Sequence, residues 1–434
     1  MQSRLKVKAW KAAALPPDWH KRQTPGEKAK EQLESDVKAV ISQVVKNGDT
    51  ALIELTEKFD KVQLKAEDLR VTPREIEEAY KKVGKKQISA LKFMKVKVEA
   101  FEKLVLKQVG FKTSRMGIAV RNVLRPIESV GCYVPGGQAA YPSTLVMTVV
   151  PAKAAGVPRI VVCSPPNAEG TVNPLVLVAA DICGVNEVYK VGGAQAIAAL
   201  AYGTETIQPV KKIVGPGSKY VTTAKILVSK KVAIDMPAGP SEILVLADET
   251  ANPQFIALDM VSQAEHGADS VAGLITTSQK LAEDVENWLA KAVAGAERGE
   301  IVAKALEKYG FIITCRDMAE AVKLANIFAP EHVEIMTQNS GKIAAKITSA
   351  GLILIGSYSP VALSDYSSGT NHVLPTGGFG NVCSGLSALD FARRVSIVES
   401  SRDGLQSVRK HVKVLTAAEN LPNHYKAVEA RFQK

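Results

Sequence analysis

The stretch RIVVCSPPNAEGTVNPLVLVAADICGVNEVYKVGGAQAIAALAYG, residues 159–203, alternates two kinds of apolar segment. RIVVC and EVYKV have the length of buried strands, whereas PLVLVAADICG and AQAIAALAYG are alanine-rich and long enough for helices. Short apolar strands that alternate with helices are typical of a parallel sheet with right-handed crossovers. The stretch therefore predicts the α/β class.

The same alternation extends over two successive halves of the chain. It begins near residue 109, and it restarts after DMPAGPSE (residues 235–242) with EILVLAD. Two such halves predict two Rossmann-like α/β domains with parallel-sheet cores, and they place the ligand site in the cleft between them. The predicted boundaries are 1–108 for a helical N-terminal region, 109–240 for the first domain, 241–380 for the second domain and 381–434 for a small helical C-terminal tail.

The composition argues against several classes of protein. The chain has 434 residues, of which 46% are hydrophobic, so it is large enough for real cores. It has no run of about 18 apolar residues and no apolar signal segment near its start, so we expect no membrane span and a cytoplasmic location. The five cysteines are far apart and never form a C-x-x-C pair, which predicts reduced thiols.

The net charge of +11 is concentrated in one segment. Residues 81–125 hold 13 Lys or Arg side chains against only Glu99 and Glu102. The lysines recur at mixed helical spacings among Leu, Phe and Val, as on the solvent-facing side of a helix. We therefore favour a solvated helix face and expect no nucleic-acid partner. The alternative outside the enzymes is a basic nucleic-acid-binding or scaffold protein.

Residues 253–266 are predicted to form a helix that carries two candidate ligands. Asn252 is a typical N-cap, Pro253 suits the first turn, and a glycine follows the last residue. Gln263 and His266 then lie at spacing i, i+3 on one face, where they can hold one metal ion. The alternative is a helix-end histidine that binds a carbonyl group or solvent.

Glycine-rich turns interrupt the first α/β half. YKVGGAQAIAAL (189–200) and KKIVGPGSKYVTTAK (211–225) each pass from an apolar strand through glycines directly into a helix, and CYVPGGQAAYPS (132–143) is a third such loop. Free N–H groups at a helix start can bind the phosphates of a dinucleotide. Tight strand-to-helix turns also use glycine for steric reasons, so both interpretations stay open.

Four of the six histidines lie in polar segments near carboxylates rather than on apolar stripes. They are His266, His332, His372 and His424, and the carboxylates include Glu331, Asp365 and Glu419. A mixed set of nitrogen and oxygen donors suits Zn²⁺, Mn²⁺ or Co²⁺. The clustering predicts a metal-dependent active site.

Nine blocks, in order and over nearly the whole chain, resemble the histidinol dehydrogenase family. They are VGCYVPGG, VGGAQAIAALAYGT, IVGPG, AIDMPAGPSE, QAEHG, FAPEHVEI, DYSSGTNHVLPTGG, SGLSALDF and the terminal AEN with the following histidine. The resemblance implies a homodimer that uses zinc and NAD⁺ to oxidise L-histidinol to L-histidine, the last step of histidine biosynthesis. A paralogue that oxidises another amino- or sulfonate-bearing alcohol is the rival enzyme.

The resemblance also implies roles for individual residues. His332 would be the proton-accepting base, and Glu331 would activate the water of the second oxidation. The implied zinc ligands are Gln263, His266, Asp365 and His424. The implied substrate pocket adds Ser241, His332, His372 and Glu419 to these ligands. The implied NAD residues are Tyr133, Gln195 and Ser218, where Ser218 stands at a position that is usually Asn in the family. Glu419 and His424 would serve the active site of the dimer partner.

The stretch PEHVEI, residues 330–335, sets an acid directly beside a histidine. One group can take the alcohol proton while its neighbour activates the water that hydrates the aldehyde. Adjacent residues of a regular strand point to opposite faces, however. We therefore predict that Pro330 holds Glu331 and His332 at an irregular strand start.

Overall fold

The structure, a computed structural model, describes residues 5–20, 22, 27–136, 140–236 and 239–433. Its strands are β1 (Lys8–Lys11), β2 (Phe111–Arg115), β3 (Ile118–Pro126), β4 (Ser129–Tyr133), β5 (Arg159–Cys163), β6 (Glu187–Tyr189), β7 (Lys212–Val214), β8 (Ala233–Ile234), β9 (Glu242–Ala247), β10 (Val271–Thr276), β11 (Phe311–Thr314), β12 (His332–Met336), β13 (Leu352–Ile355) and β14 (Ala392–Ser400). Its helices are α1 (Glu27–Asp60), α2 (Pro73–Lys82), α3 (Lys85–Lys107), α4 (Pro142–Ala155), α5 (Pro174–Ile182), α6 (Gly193–Tyr202), α7 (Lys219–Val228), α8 (Pro253–Ala264), α9 (Gln279–Gly295), α10 (Gly299–Tyr309), α11 (Met318–Phe328), α12 (Ser340–Ala344), α13 (Val361–Tyr366), α14 (Arg402–Ala418) and α15 (Pro422–Glu429).

The first domain is built on a five-stranded parallel sheet with the order β6-β5-β4-β7-β8. Counted within the domain, this is the Rossmann order 3-2-1-4-5, with a switch point between β4 and β7. Every residue of β4 is buried. Side chains of α4 and α5 fill one core against the sheet, and those of α1, α6 and α7 fill the other. The predicted parallel sheet is confirmed.

The second domain repeats this topology. Its six-stranded sheet has the order β1-β11-β10-β9-β12-β13, and all neighbouring strands are parallel. Strands β9 to β13 again follow the order 3-2-1-4-5, so the switch point lies between β9 and β12. This shared order confirms the predicted α/β class with two parallel-sheet cores, while the domain boundaries stay a prediction.

The N-terminal region and the C-terminal tail differ from the prediction, because neither is wholly helical. β1 lies in the first region and joins the sheet of the second domain, with Lys8 opposite Phe311. β14 lies in the tail and pairs antiparallel with β3, with Val395 opposite Val123, in a small sheet of order β14-β3-β2. Each strand finds its partner hundreds of residues away, and local periodicity carries no signal of such a partner.

The lysine-rich segment behaves as a solvated helix face. In α3, Leu91, Met94 and Val98 are buried at helical spacing, while Lys92 and Lys97 are exposed. The five cysteines are unpaired, as predicted. Within the described ranges, no helix is both long and apolar enough to cross a membrane.

Candidate active site

Glu331 and His332 lie where β12 begins. Glu331 directly precedes the strand, and Ala329 adopts a left-handed conformation (φ 47°) where α11 ends. Both side chains are buried and both reach the backbone of Glu242, the first residue of the neighbouring strand β9. The Glu242 N–H donates to Glu331 Oε2 (2.8 Å), and His332 Nδ1 lies 3.3 Å from Glu242 O. Glu331 thus lies in a bend just outside the regular strand, as predicted, while the role assigned to Pro330 stays a prediction.

Hydrogen bonding determines which nitrogen of His332 is free. A carbonyl oxygen only accepts, so Nδ1 donates to Glu242 O and Nε2 keeps its lone pair. This Nε2 is buried and has no hydrogen-bond partner among the described residues. Burial lowers the pKa of His332 to about 3, so the imidazole is neutral at pH 7. His332 is therefore arranged to accept a proton at Nε2.

Glu331 is in a different electrostatic state. Burial raises its pKa well above the usual value, and the charges of Glu242 and Asp365 add to this effect. Burial thus favours the protonated form of this carboxyl group, and an approaching cation favours the ionised form. Glu331 Oε2 lies 3.7 Å from His332 Nδ1, too far for a hydrogen bond. The two neighbours are thus free to act separately.

Helix α8 brings Gln263 and His266 to the same region. Asn252 caps the helix as predicted, but the helix ends at Ala264, so His266 lies in the turn that follows. The His266 N–H donates to Gln263 O (3.3 Å). Gln263 is 2% exposed, and its Oε1 has no hydrogen-bond partner in the described chain. His266 is exposed in a single chain, but partial desolvation by its neighbours lowers its pKa below the usual value of 6.5, so its imidazole is mostly neutral at pH 7.

Asp365 and His372 come from the polar segment after β13. Asp365 lies in α13. His372 Nδ1 lies 3.3 Å from the carbonyl oxygen of Asp365 and 3.7 Å from Asp365 Oδ1. Burial raises the pKa of Asp365 to about 7 and lowers that of His372 to about 4. Both groups are thus set apart from ordinary surface residues, as active-site groups commonly are.

Mutual charge effects place these groups in one cluster. The charges of His372 and His266 lower the pKa of His332, and that of Asp365 raises the pKa of Glu331. The structure thus brings together the predicted residues Gln263, His266, Glu331, His332, Asp365 and His372. Beside His372, Asn371 Nδ2 donates to the carbonyl oxygen of Met147 in α4 (2.7 Å), so this edge of the cluster contacts a helix of the first half of the chain.

Ser241 lies at the cluster, directly before Glu242 and half-buried. Glu242 itself was missed by the sequence reasoning, although it holds both members of the PEHVEI pair through its backbone. The sequence feature that could have identified Glu242 is a charged residue as the first residue of the apolar run EILVLA, all of whose residues are buried. The cluster lies at the amino ends of β9 and β12, whereas Rossmann-like folds usually bind ligands at the carboxyl ends.

Glu419 and His424 are not joined to the cluster within one chain. Glu419 directly follows α14, His424 lies in α15, and both are exposed. No contact in the described chain links either residue to His266 or Asp365. The predicted metal site is therefore incomplete in a single chain.

The donors that are present fit a metal ion in part. The unpartnered Gln263 Oε1, the neutral His266 imidazole and the Asp365 carboxylate are oxygen and nitrogen ligands of the kind that Zn²⁺, Mn²⁺ or Co²⁺ accepts. No group of three or more His, Cys, Asp or Glu side chains in the described ranges is arranged to hold a metal. A further donor has to come from outside this cluster.

The predicted NAD residues lie at the carboxyl ends of strands in the first sheet. Tyr133 ends β4, and its hydroxyl accepts a hydrogen bond from the Gly193 N–H (3.1 Å). Gln195 folds back on the same turn, because a Cβ on Gly193 would lie 2.6 Å from Gln195 Oε1. Ser218 is the exposed N-cap of α7, after β7. Residues 137–139 of the third glycine loop lie outside the described residues.

Comparisons with known proteins identify the family of the chain. The family model described as histidinol dehydrogenase matches residues 23–432. The chain is 46% identical over 404 residues to histidinol dehydrogenase of Methanocaldococcus jannaschii, covering 93% of each chain. It is 47% identical over 397 residues to that of Clostridium acetobutylicum, covering 92% of each. The crystal structure of histidinol dehydrogenase from Elizabethkingia anophelis has a TM-score of 0.92 at 36% identity, with 98% of both chains covered. The chain therefore belongs to the histidinol dehydrogenase family.

Proposed function

We propose that this protein is an oxidoreductase that converts L-histidinol through L-histidinal to L-histidine, the last step of histidine biosynthesis. Family membership supports the substrate. The observation that carries the proposal is the PEHVEI pair: a neutral histidine with a free Nε2 beside a carboxyl group, both held on the backbone of Glu242. A four-electron oxidation of this kind includes two proton transfers, one from the alcohol and one from the water that hydrates the aldehyde, and the pair offers one acceptor for each.

His332 is the base of the first oxidation. Its Nε2 accepts the hydroxyl proton of the substrate, while Nδ1–H stays on the carbonyl oxygen of Glu242 and keeps the ring oriented. Burial favours the neutral imidazole before the reaction. Nε2 is therefore unprotonated at neutral pH before the reaction.

Glu331 is the base of the second oxidation. The substrate carries an ammonium group and an imidazole, and a bound cation favours the ionised form of a carboxyl group whose pKa burial has raised. The ionised carboxylate then takes a proton from the water that hydrates L-histidinal. Asp365 responds in the same way, because burial raises its pKa also.

Two cofactors complete the proposal. A zinc ion would be held by Gln263, His266 and Asp365 together with His424 of a second copy of the chain, and it would supply positive charge that lowers the proton affinity of the alcohol. NAD⁺ is the proposed oxidant in both steps. Tyr133, Gln195 and Ser218, at the carboxyl ends of β4, β6 and β7, are the proposed NAD residues.

We further propose a homodimer that shares its active sites, with Ser241, His372 and the second copy's Glu419 in the substrate pocket. Apolar side chains stand exposed on α3 and on α14, among them Leu104 (58%) and Leu415 (61%). Burial against a second copy would remove this apolar surface from water. The five unpaired cysteines are consistent with the proposed cytoplasmic location.

The test is to count the NADH formed from limiting L-histidinol in excess NAD⁺ and to identify the product. The proposal predicts about two NADH and one L-histidine per L-histidinol, with activity lost on chelation and restored by Zn²⁺. No NADH from L-histidinol at any metal content would refute the proposed substrate. Unchanged turnover of a protein shown to be metal-free would refute the zinc site.

A further inference from the structure

Arg22 reaches the active site from the N-terminal arm, whose described residues are 5–20 and 22. Its Nε and Nη2 donate to the two carboxylate oxygens of Glu242, at 2.7 and 2.6 Å. Its Nη1 donates to the carbonyl oxygen of Phe328 (2.7 Å), and its guanidinium lies 3.8 Å from the centre of the Phe328 ring. Nη2 also approaches the carbonyl oxygen of Ala329 (3.4 Å). One side chain therefore holds both the start of β9 and the end of α11.

Both of these places bear on the PEHVEI pair. Glu242 gives its N–H to Glu331 and its carbonyl oxygen to His332. Phe328 and Ala329 belong to the turn that leads directly into Glu331. The Glu242 carboxylate also accepts the N–H of Gly377 (3.0 Å), in the segment that follows His372. A shift of the Glu242 backbone would therefore move both proposed bases together.

The arm is anchored without Arg22. β1 pairs with β11 over four residues. Trp19 stacks on Phe328, with ring centres 6.0 Å apart, and meets Phe311 edge-on at 6.1 Å. Trp10 stacks on Phe311 at 6.4 Å. These contacts bury aromatic surface independently of the ion pair, so a conservative change of Arg22 leaves the arm in place.

We propose that Arg22 is a positioning residue: its two-point pair with Glu242, together with its bonds to the turn before Glu331, fixes the distance and orientation of the Glu331–His332 pair. The inference rests on the proposed function, since it concerns the bases of that reaction. Arg22 touches neither base directly and acts only through Glu242 and the turn. Lysine cannot reproduce this role, because its ammonium group lacks the planar two-point geometry of guanidinium.

The first test compares Arg22→Lys with Arg159→Lys as a matched control. Arg159 also binds both oxygens of one carboxylate, that of Glu187 (2.9 and 2.9 Å), and donates to two carbonyl oxygens, but it lies in the first domain. For Arg22→Lys we expect kcat to fall about 10- to 100-fold, because small misplacements of reacting groups have effects of this size. KM for L-histidinol should stay within about threefold of wild type, and the control should keep the wild-type kcat.

The second variant, Glu242→Gln, keeps the backbone groups that hold the bases and removes the carboxylate that Arg22 binds at two points. It should lower kcat by no more than Arg22→Lys does, because it leaves the bonds of Arg22 to the carbonyl oxygens of Phe328 and Ala329 in place. The double variant should be no slower than Arg22→Lys, because both substitutions remove the Arg22–Glu242 pair. A wild-type kcat in Arg22→Lys, a loss no larger than that of Arg159→Lys, or additive losses in the double variant would overturn the inference.

A readout without turnover separates this inference from the proposed function. In protein labelled with ¹⁵N-histidine, the signals of His332, assigned with His332→Gln, should report protonated Nδ1 in wild type and in Arg159→Lys. In Arg22→Lys they should shift toward protonated Nε2, because the Glu242 carbonyl is no longer held in place. Unchanged His332 signals would refute the positioning role. A protein that fails to oxidise L-histidinol but shows the shift would refute only the proposed function.

Discussion

Lys225 and Asp235 form a fully buried ion pair beside the G-P-G turn of the first domain. Their side chains are 2% and 0% exposed. Lys225 Nζ also donates to the carbonyl oxygen of Gly215 (2.9 Å), and Asp235 Oδ2 accepts the N–H of Gly215 (2.8 Å). Gly215 has a φ of +115°, and a Cβ there would lie 2.2 Å from the carbonyl oxygen of Tyr133. The pair thus fixes the turn that precedes Ser218.

We expect Lys225→Met to destabilise the protein strongly, because it leaves the Asp235 charge buried and unpaired. Removing one partner of such a pair costs about 3–5 kcal/mol. Each kcal/mol lowers the melting temperature of a domain of this size by roughly 2–4 °C, so the expected loss is roughly 6–20 °C. The double variant Lys225→Met/Asp235→Asn should recover at least half of the loss, since Asn keeps an acceptor for the Gly215 N–H without the charge.

The assay is thermal unfolding followed by circular dichroism, with Lys211→Met as the control. Lys211 pairs with Glu128 at 3.5 Å, but the two side chains are 66% and 80% exposed. Exposed pairs contribute at most about 1 kcal/mol. A melting temperature for Lys225→Met equal to that of Lys211→Met would refute the reasoning. So would a double variant that is less stable than Lys225→Met alone.

Two further predictions concern buried carboxyl groups. Burial, together with the charge of Asp259, raises the pKa of Glu334 from 4.5 to about 9, so the unfolded chain loses this proton at lower pH than the folded protein does. The contribution of Glu334 to stability should therefore fall as pH rises from about 4.5 toward 9. Between pH 5 and pH 8, the free energy of unfolding of Glu334→Gln, measured in denaturant, should rise relative to that of wild type by at least about 1.4 kcal/mol. Parallel pH profiles of the two proteins would contradict this. Second, L-histidinol binding at pH 7 should release protons, since a cation lowers the raised pKa values of Glu331 and Asp365. Calorimetry in buffers of different ionisation enthalpy measures the release, and a binding enthalpy that does not depend on buffer would exclude it.

Much of the fold could be predicted from the sequence, because its elements are local. Apolar runs such as RIVVC become fully paired strands, and the alternation with helices determines the parallel order. β1 and β14 escaped prediction, because each is a strand only by virtue of a distant partner. The same limit applies to the placement of the cluster at the amino ends of β9 and β12, which depends on how the two domains meet.

In the candidate site, too, local sequence patterns predicted some residues, and tertiary structure alone revealed the others. Gln263, His266, Glu331 and His332 stand in segments whose local pattern predicts their neighbours, and the structure brings them together. Glu242 was missed because it acts through its backbone N–H and carbonyl groups, which any residue type possesses. Arg22 was missed because only tertiary packing of the arm carries it to the second domain. Glu419 and His424 are exposed in one chain, and their proposed role requires a second copy.

The most direct test of the account is the number of NADH molecules that Glu331→Gln forms from each limiting L-histidinol. In the proposed reaction, His332 takes the proton of the alcohol and Glu331 takes the proton of the water. We therefore expect wild type to form about two NADH, whereas Glu331→Gln should form about one rapidly and then accumulate L-histidinal. Two NADH formed at the wild-type rate in both steps would contradict the separate roles of the two residues. So would a variant that loses the first step as completely as the second.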